Sequence, residues 1–152
     1  MPDITPLLWF DDGDAEEAAQ FYVSIFKNSK ITNVSEMMVE FTLDGHDVMA
    51  LNAPSPEPKP RNDDFQQGKI ALFVTCETQA VVDDLWDKLS AGGEQSQCGW
   101  LRDKYGFSWN IVPEGLASVL GGTDPQRAQR AMQAMLQMQK LDINELRRVY
   151  SA

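Results

Sequence analysis

The chain repeats itself. An apolar run, Ile4–Phe10 (ITPLLWF), ends in Asp11-Asp12-Gly13 and feeds a helical pattern; 65 residues after Ile4, the run Lys69–Thr75 (KIALFVT) starts the same order again. The expected helix starts, Asp14 and Thr78, lie 64 residues apart. A unit with one amphipathic helix on one sheet leaves the other sheet face uncovered. Two such units can enclose a cavity between those faces, the kind of place where small ligands sit. The repeat therefore predicts an α+β chain built from two modules.

In the first half, Asp14 is placed to cap a helix, with Glu17 completing a capping box. Ala15, Ala18, Ala19, Tyr22, Ile25 and Phe26 share one helical face, and Asn28 supplies a stop. The period then falls towards two, and Ile31–Val34, Met37–Leu43 and His46–Asn52 read as strands, the last two joined by the hairpin dipeptide Asp44-Gly45. Pro54, Pro56, Pro58 and Pro60 mark an extended connector or lid. In the second half, Val81, Val82, Leu85, Trp86 and Leu89 form the core face of a helix that ends at Gly92-Gly93. Strands are expected over Glu94–Arg102 and Phe107–Val112. The expectation is a single domain with a first module at 1–52, a connector at 53–68, a second module at 69–113 and a helical tail at 114–152.

The tail opens with Asp124-Pro125, a cap before a first-turn proline, and carries a stripe of Ala128, Ala131, Met132, Met135 and Met138. Such a stripe either packs against the sheet or a partner subunit, or lines a pocket. Leu141, Asp142, Glu145 and Leu146 predict a last helix through Tyr150.

Composition removes several functions. Lys and Arg number 13 against 23 Asp and Glu, a net charge of −10 that repels phosphate backbones and acidic membranes. Neither nucleic acid nor a membrane is expected as a partner. The start MPDITPLL lacks the basic and apolar regions of a secretory signal, and apolar runs such as Ile70–Val74 are too short to span a bilayer. Cys76 and Cys98 have no zinc-site or disulfide-scaffold spacing and read as reduced thiols of a cytoplasmic protein. The single histidine, His46, follows a hairpin turn and reads as a surface residue. The acidic stretch Asp11–Asp14 lacks the downstream Glu of a calcium loop and reads as a turn.

The runs ITPLLWFDDGDAEEAAQFYVSIF, CGWLRDKYGFSWNIVP and DPQRAQRAMQAMLQMQKLDINEL resemble the PhnB-like branch of the vicinal oxygen chelate superfamily, which also holds glyoxalases, extradiol dioxygenases and bleomycin-resistance proteins. The resemblance implies two βαβββ modules whose curled mixed sheets surround a cavity, with C-terminal helices. It also implies four positions at which metal-dependent members place His or Glu. Here those positions fall on or near Leu7, at Met49 or Leu51, at Lys69 and at Asn110. This is no metal shell, and a protonated lysine repels a cation. No metal and no other cofactor is expected.

Without a metal, the candidate ligand-binding residues are Trp9, Lys69, Cys98, Trp100 and Asn110. Trp9 shares a face with Leu7 and can stack on a flat ligand. Lys69 either points into the cavity to hold an anion or is solvated at a strand end. Asn110, on the face of Ser108 and Val112, is an amide that needs a partner if buried. Cys98 is expected to share a strand face with Trp100, as a structural thiol rather than a nucleophile, since no His or Arg adjoins it. Trp109 and Trp86 are expected in the core. The expected function is binding of a small aromatic or anionic molecule, by a homodimer, without a catalytic metal. The alternatives are a metal-dependent lyase or dioxygenase and the demethylubiquinone methyltransferase-like activity with which relatives of this branch are labelled. No glycine-rich loop that would cradle S-adenosylmethionine follows a strand.

Overall fold

The computed structural model describes residues 3–53 and 70–152. The chain forms two compact units, Met1–Arg61 and Asn62–Ala152. The first runs β1 (Leu7–Phe10), α1 (Ala15–Ile25), β2 (Lys30–Val34), β3 (Met38–Leu43) and β4 (His46–Asn52). Its sheet has the order β1-β4-β3-β2, with β1 parallel to β4 and the other neighbours antiparallel. Alternation buries Leu8, Phe10, Val39, Phe41, Val48 and Ala50 on one face, and Ala15, Ala18, Ala19 and Tyr22 of α1 are buried too. The rings of Tyr22 and Phe41 stack with centroids 6.4 Å apart. Asp44 (φ 49°) and Gly45 (φ 78°) make the left-handed pair that a tight hairpin requires.

One local expectation fails here. Asp14 stands at the N-cap of α1 but makes no side-chain cap bond. The amide of Asn52, at the end of β4, takes over. Its Oδ1 accepts from Ala15 N at 2.9 Å, and its Nδ2 donates to Glu36 O at 3.3 Å.

The second unit runs β5 (Leu72–Cys76), α2 (Gln79–Ser90), β6 (Glu94–Gln95), β7 (Trp100–Arg102), β8 (Ser108–Pro113), α3 (Leu116–Leu120), α4 (Pro125–Leu136) and α5 (Ile143–Ser151). Its sheet order, β5-β8-β7-β6, is that of the first unit strand for strand, again with one parallel pair. The repeat read from the sequence is thus a repeat of topology. The strand expected over 94–102 is broken: after Gln95 the chain turns, with Cys98 at φ 59° and Gly99 at φ 82°, before β7 begins at Trp100. The proline connector and Lys69 lie outside the described residues.

The tail folds on itself. Asp124 and Asp142 cap α4 and α5 by accepting two backbone N–H bonds each. Val119, Ala131, Ile143 and Leu146 form a separate buried cluster, with Met135 and Met138 packed against it. The methionine stripe therefore packs on α3 and α5, while Met132 remains 39% exposed. No helix among the described residues is long and apolar enough to cross a membrane.

Candidate functional site

Each sheet buries one face under its helix and leaves large side chains on the other. In the second unit, Leu72, Trp109 and Leu101 stand side by side across β5, β8 and β7, with Trp109 and Leu101 buried. Trp109 and Trp86 are core, as their spacing predicts. One residue along each strand, the opposite face carries Phe73, Asn110 and Trp100 in a single row. Phe73 is 65% exposed, Trp100 39% and Asn110 only 7%. Neighbouring strands lie about 4.8 Å apart, so the two aromatic residues are attached about 10 Å apart with the amide between them.

The orientation of that amide is fixed by chemistry. Asn110 Nδ2 donates to the carbonyl of Cys98 at 3.2 Å. A carbonyl can only accept, so the NH2 end must point there and Oδ1 lies on the other side. No described residue donates to Oδ1. The row thus offers two aromatic surfaces flanking one hydrogen-bond acceptor.

Cys98 does not share a strand face with Trp100. Its left-handed turn aims the thiol at Met135 O of α4, 3.6 Å away. Alternation cannot be carried through Gly99, whose positive φ interrupts the strand. Cys76 is buried in β5, and burial pushes its thiol up to about 11, so it is no nucleophile near neutral pH.

Trp9 belongs to the first unit. It stands on the open face of that sheet in a row with Leu51 and Met38, is 43% exposed, and donates from Nε1 to Ala53 O at 2.9 Å. The next row holds Leu7, Met49 and Glu40. A shallow depression of about 220 Å³ lies among Thr5, Thr32, Glu40, Asp47 and Met49. Sequence reasoning alone does not place Phe73 in the site. Its signal was period-two alternation along β5, but its pairing with Asn110 depends on strand register, which alternation leaves open.

Of the four positions that the resemblance assigns to metal ligands, those among the described residues carry no imidazole or carboxylate. Leu7 and Met49 are direct register partners and supply at most a thioether, and Asn110 offers only the neutral amide oxygen Oδ1, its Nδ2 donating to Cys98 O. Among the described residues no group of three or more His, Cys, Asp or Glu is arranged to hold a metal. The strand-to-helix links, Asp11–Asp14 and Glu77-Thr78, are acidic and so unsuited to anionic groups.

Duplicated βαβββ units with one parallel edge pair define the vicinal oxygen chelate class. Within it, residues 2–112 match the family described as 3-demethylubiquinone-9 3-methyltransferase. The chain belongs to that family, the PhnB-like branch. A PhnB protein from Bacillus cereus is 30% identical, over 74% of this chain and 99% of its own, with a TM-score of 0.64. Two others share the fold. A protein from Pseudomonas aeruginosa is 16% identical over 75% of this chain and 100% of its own, with a TM-score of 0.56. The fosfomycin resistance protein FosX from Listeria monocytogenes, complexed with Mn(II) and sulfate, is 16% identical over 79% of this chain and 95% of its own, with a TM-score of 0.51. No curated protein matches the sequence significantly.

Proposed function

We propose that this chain binds a small, flat molecule carrying an N–H or O–H donor, and does so without a catalytic metal. The observation that supports this reading is the row Phe73–Asn110–Trp100, in which two exposed rings flank a nearly buried amide. Exposed aromatic side chains on a rigid sheet contribute stacking area at low entropic cost, and Asn110 Oδ1 supplies direction. A ligand lacking a donor would leave that acceptor dry and unpaired, a cost of about 1–3 kcal/mol. The methyltransferase activity in the family's name would need S-adenosylmethionine, and the acidic strand-to-helix links disfavour its carboxylate.

The test is a thermal-shift and NMR screen with indole, hydroxylated aromatics, quinones and S-adenosylmethionine, alongside metal analysis of the purified protein. Stabilisation by a donor-bearing aromatic, with resonance shifts at Phe73, Asn110 and Trp100, is the expected result. A full equivalent of bound divalent ion, or a response to S-adenosylmethionine alone, would overturn the reading.

A further inference from the structure

The C-terminal tail lies beyond the residues that match the family, yet it reaches the candidate site through a continuous set of hydrogen bonds. Cys98 N donates to Met138 O at 2.9 Å, and Gly99 N donates to Gln139 O at 2.8 Å. The tail therefore holds the turn that ends at Trp100. The same turn presents the Cys98 carbonyl that receives Asn110 Nδ2, and Gly99 O accepts from Ile111 N at 2.8 Å on the strand that carries Asn110. Gly99 is pressed between the two: a Cβ there would meet Ile111 O at 2.7 Å and the Leu141 side chain at 3.0 Å.

The tail is in turn clamped to α2, chiefly through the side chain of Gln79. Gln79 Nε2 donates to Leu141 O at 2.8 Å while its Oε1 accepts from Ile143 N at 2.9 Å, so the amide pairs with the tail backbone as a neighbouring strand would. Lys140 adds an ion pair to Asp83 at 2.9 Å.

We infer that the tail is a positioning element of the ligand site: Gln79 fixes residues 138–143, these fix the turn at Cys98-Gly99, and the Cys98 carbonyl orients the Asn110 amide. Gln79 touches no ligand in this scheme and acts only through the tail. The inference rests on the binding reading above for its functional meaning, but the coupling itself can be measured without any ligand.

Gln79→Met keeps the side-chain volume and removes both tail bonds. Amide exchange at Cys98 and Gly99, and exchange of the Asn110 side-chain NH2, should accelerate together by about tenfold. Unchanged exchange at these groups overturns the inference. If Gln79→Met fails to fold, native-state exchange of the wild-type chain in rising urea decides the matter. The Asn110 NH2 and the Cys98 and Gly99 amides should open together with Ile143, and independent opening overturns the coupling. A second readout separates positioning from mere stability, using indole and 1-methylindole as probes. The wild type should prefer indole, whose N–H reaches Asn110 Oδ1, by about tenfold. Gln79→Met should reduce that preference to about twofold while leaving 1-methylindole binding unchanged. An unaltered preference in the variant overturns the inference. Failure of the wild type to bind either probe counts against the binding reading, while the exchange result still decides the coupling.

Discussion

Trp109 donates its indole N–H to Oδ2 of Asp103 across 2.8 Å, and both residues are buried. Oδ1 of the same carboxylate accepts from the backbone N–H groups of Tyr105 and Phe107 at 2.9 and 3.0 Å. One side chain therefore closes the β7–β8 turn and pairs the buried indole N–H of Trp109. Asp103→Ala leaves three donors without that partner and should cost on the order of 3 kcal/mol in urea unfolding. Asp103→Asn keeps one acceptor but sets an NH2 against the indole N–H, so it should also destabilise. Equal midpoints for wild type and both variants would contradict this role.

Trp100 is the opposite case. Its ring is 39% exposed and belongs to the open row, so truncation removes little core. Trp100→Ala should change unfolding stability by less than about 1 kcal/mol while weakening indole binding about tenfold. Calorimetric titration beside thermal unfolding separates the two quantities. A large stability loss with intact binding would show that Trp100 is structural.

The topology was legible because it depends on short-range signals that occur twice: an apolar run, a cap residue and a turn at matching offsets. Periodicity alone places Trp109 and Trp86 in the core, which works while a strand or helix is unbroken. The misread features each depend on something distant. Asn52 caps α1 from 37 residues away, so the capping signal at Asp14 proved locally plausible and structurally idle. Counting through Gly99 puts Cys98 on the Trp100 face, but the left-handed backbone of Gly99, held by the tail, breaks the count. Phe73 joins Asn110 only through register, and two parallel strands separated by a helix and two strands fix register by packing rather than by any local motif. The tail's contribution to the site was invisible for the same reason, since Gln79 and Ile143 are 64 residues apart.

Gly99 lies between Ile111 of β8 and Leu141 of the tail. Its φ of 82° disfavours any L side chain, and an added Cβ would lie 2.7 Å from Ile111 O. Gly99→Ala combines backbone strain with that clash and should cost at least about 2 kcal/mol. Gly106 also has positive φ, at 93°, but nothing lies within 4 Å of the added carbon, so Gly106→Ala should cost only the strain, about 1 kcal/mol. Urea midpoints of the two variants test the ordering. A Gly106→Ala loss equal to that of Gly99→Ala would remove the case for close approach at the tail.

Cys76 gives the fold a dependence on alkaline pH with a definite sign. Burial raises its thiol from 9.0 to about 11 because the thiolate is disfavoured in the interior. The folded state thus holds its proton more tightly than the unfolded chain does. The resulting stability is fully present below pH 9 and is lost as pH rises towards 11. The loss should amount to about 2–3 kcal/mol. Lysines and tyrosines titrate in the same range, so the quantity to measure is the difference between wild type and Cys76→Ala in urea unfolding from pH 8 to pH 11. That difference should shrink steadily as pH rises, because the variant has no thiol to ionise. A difference independent of pH would mean that Cys76 is not held in the dry position at the end of β5 that its burial describes.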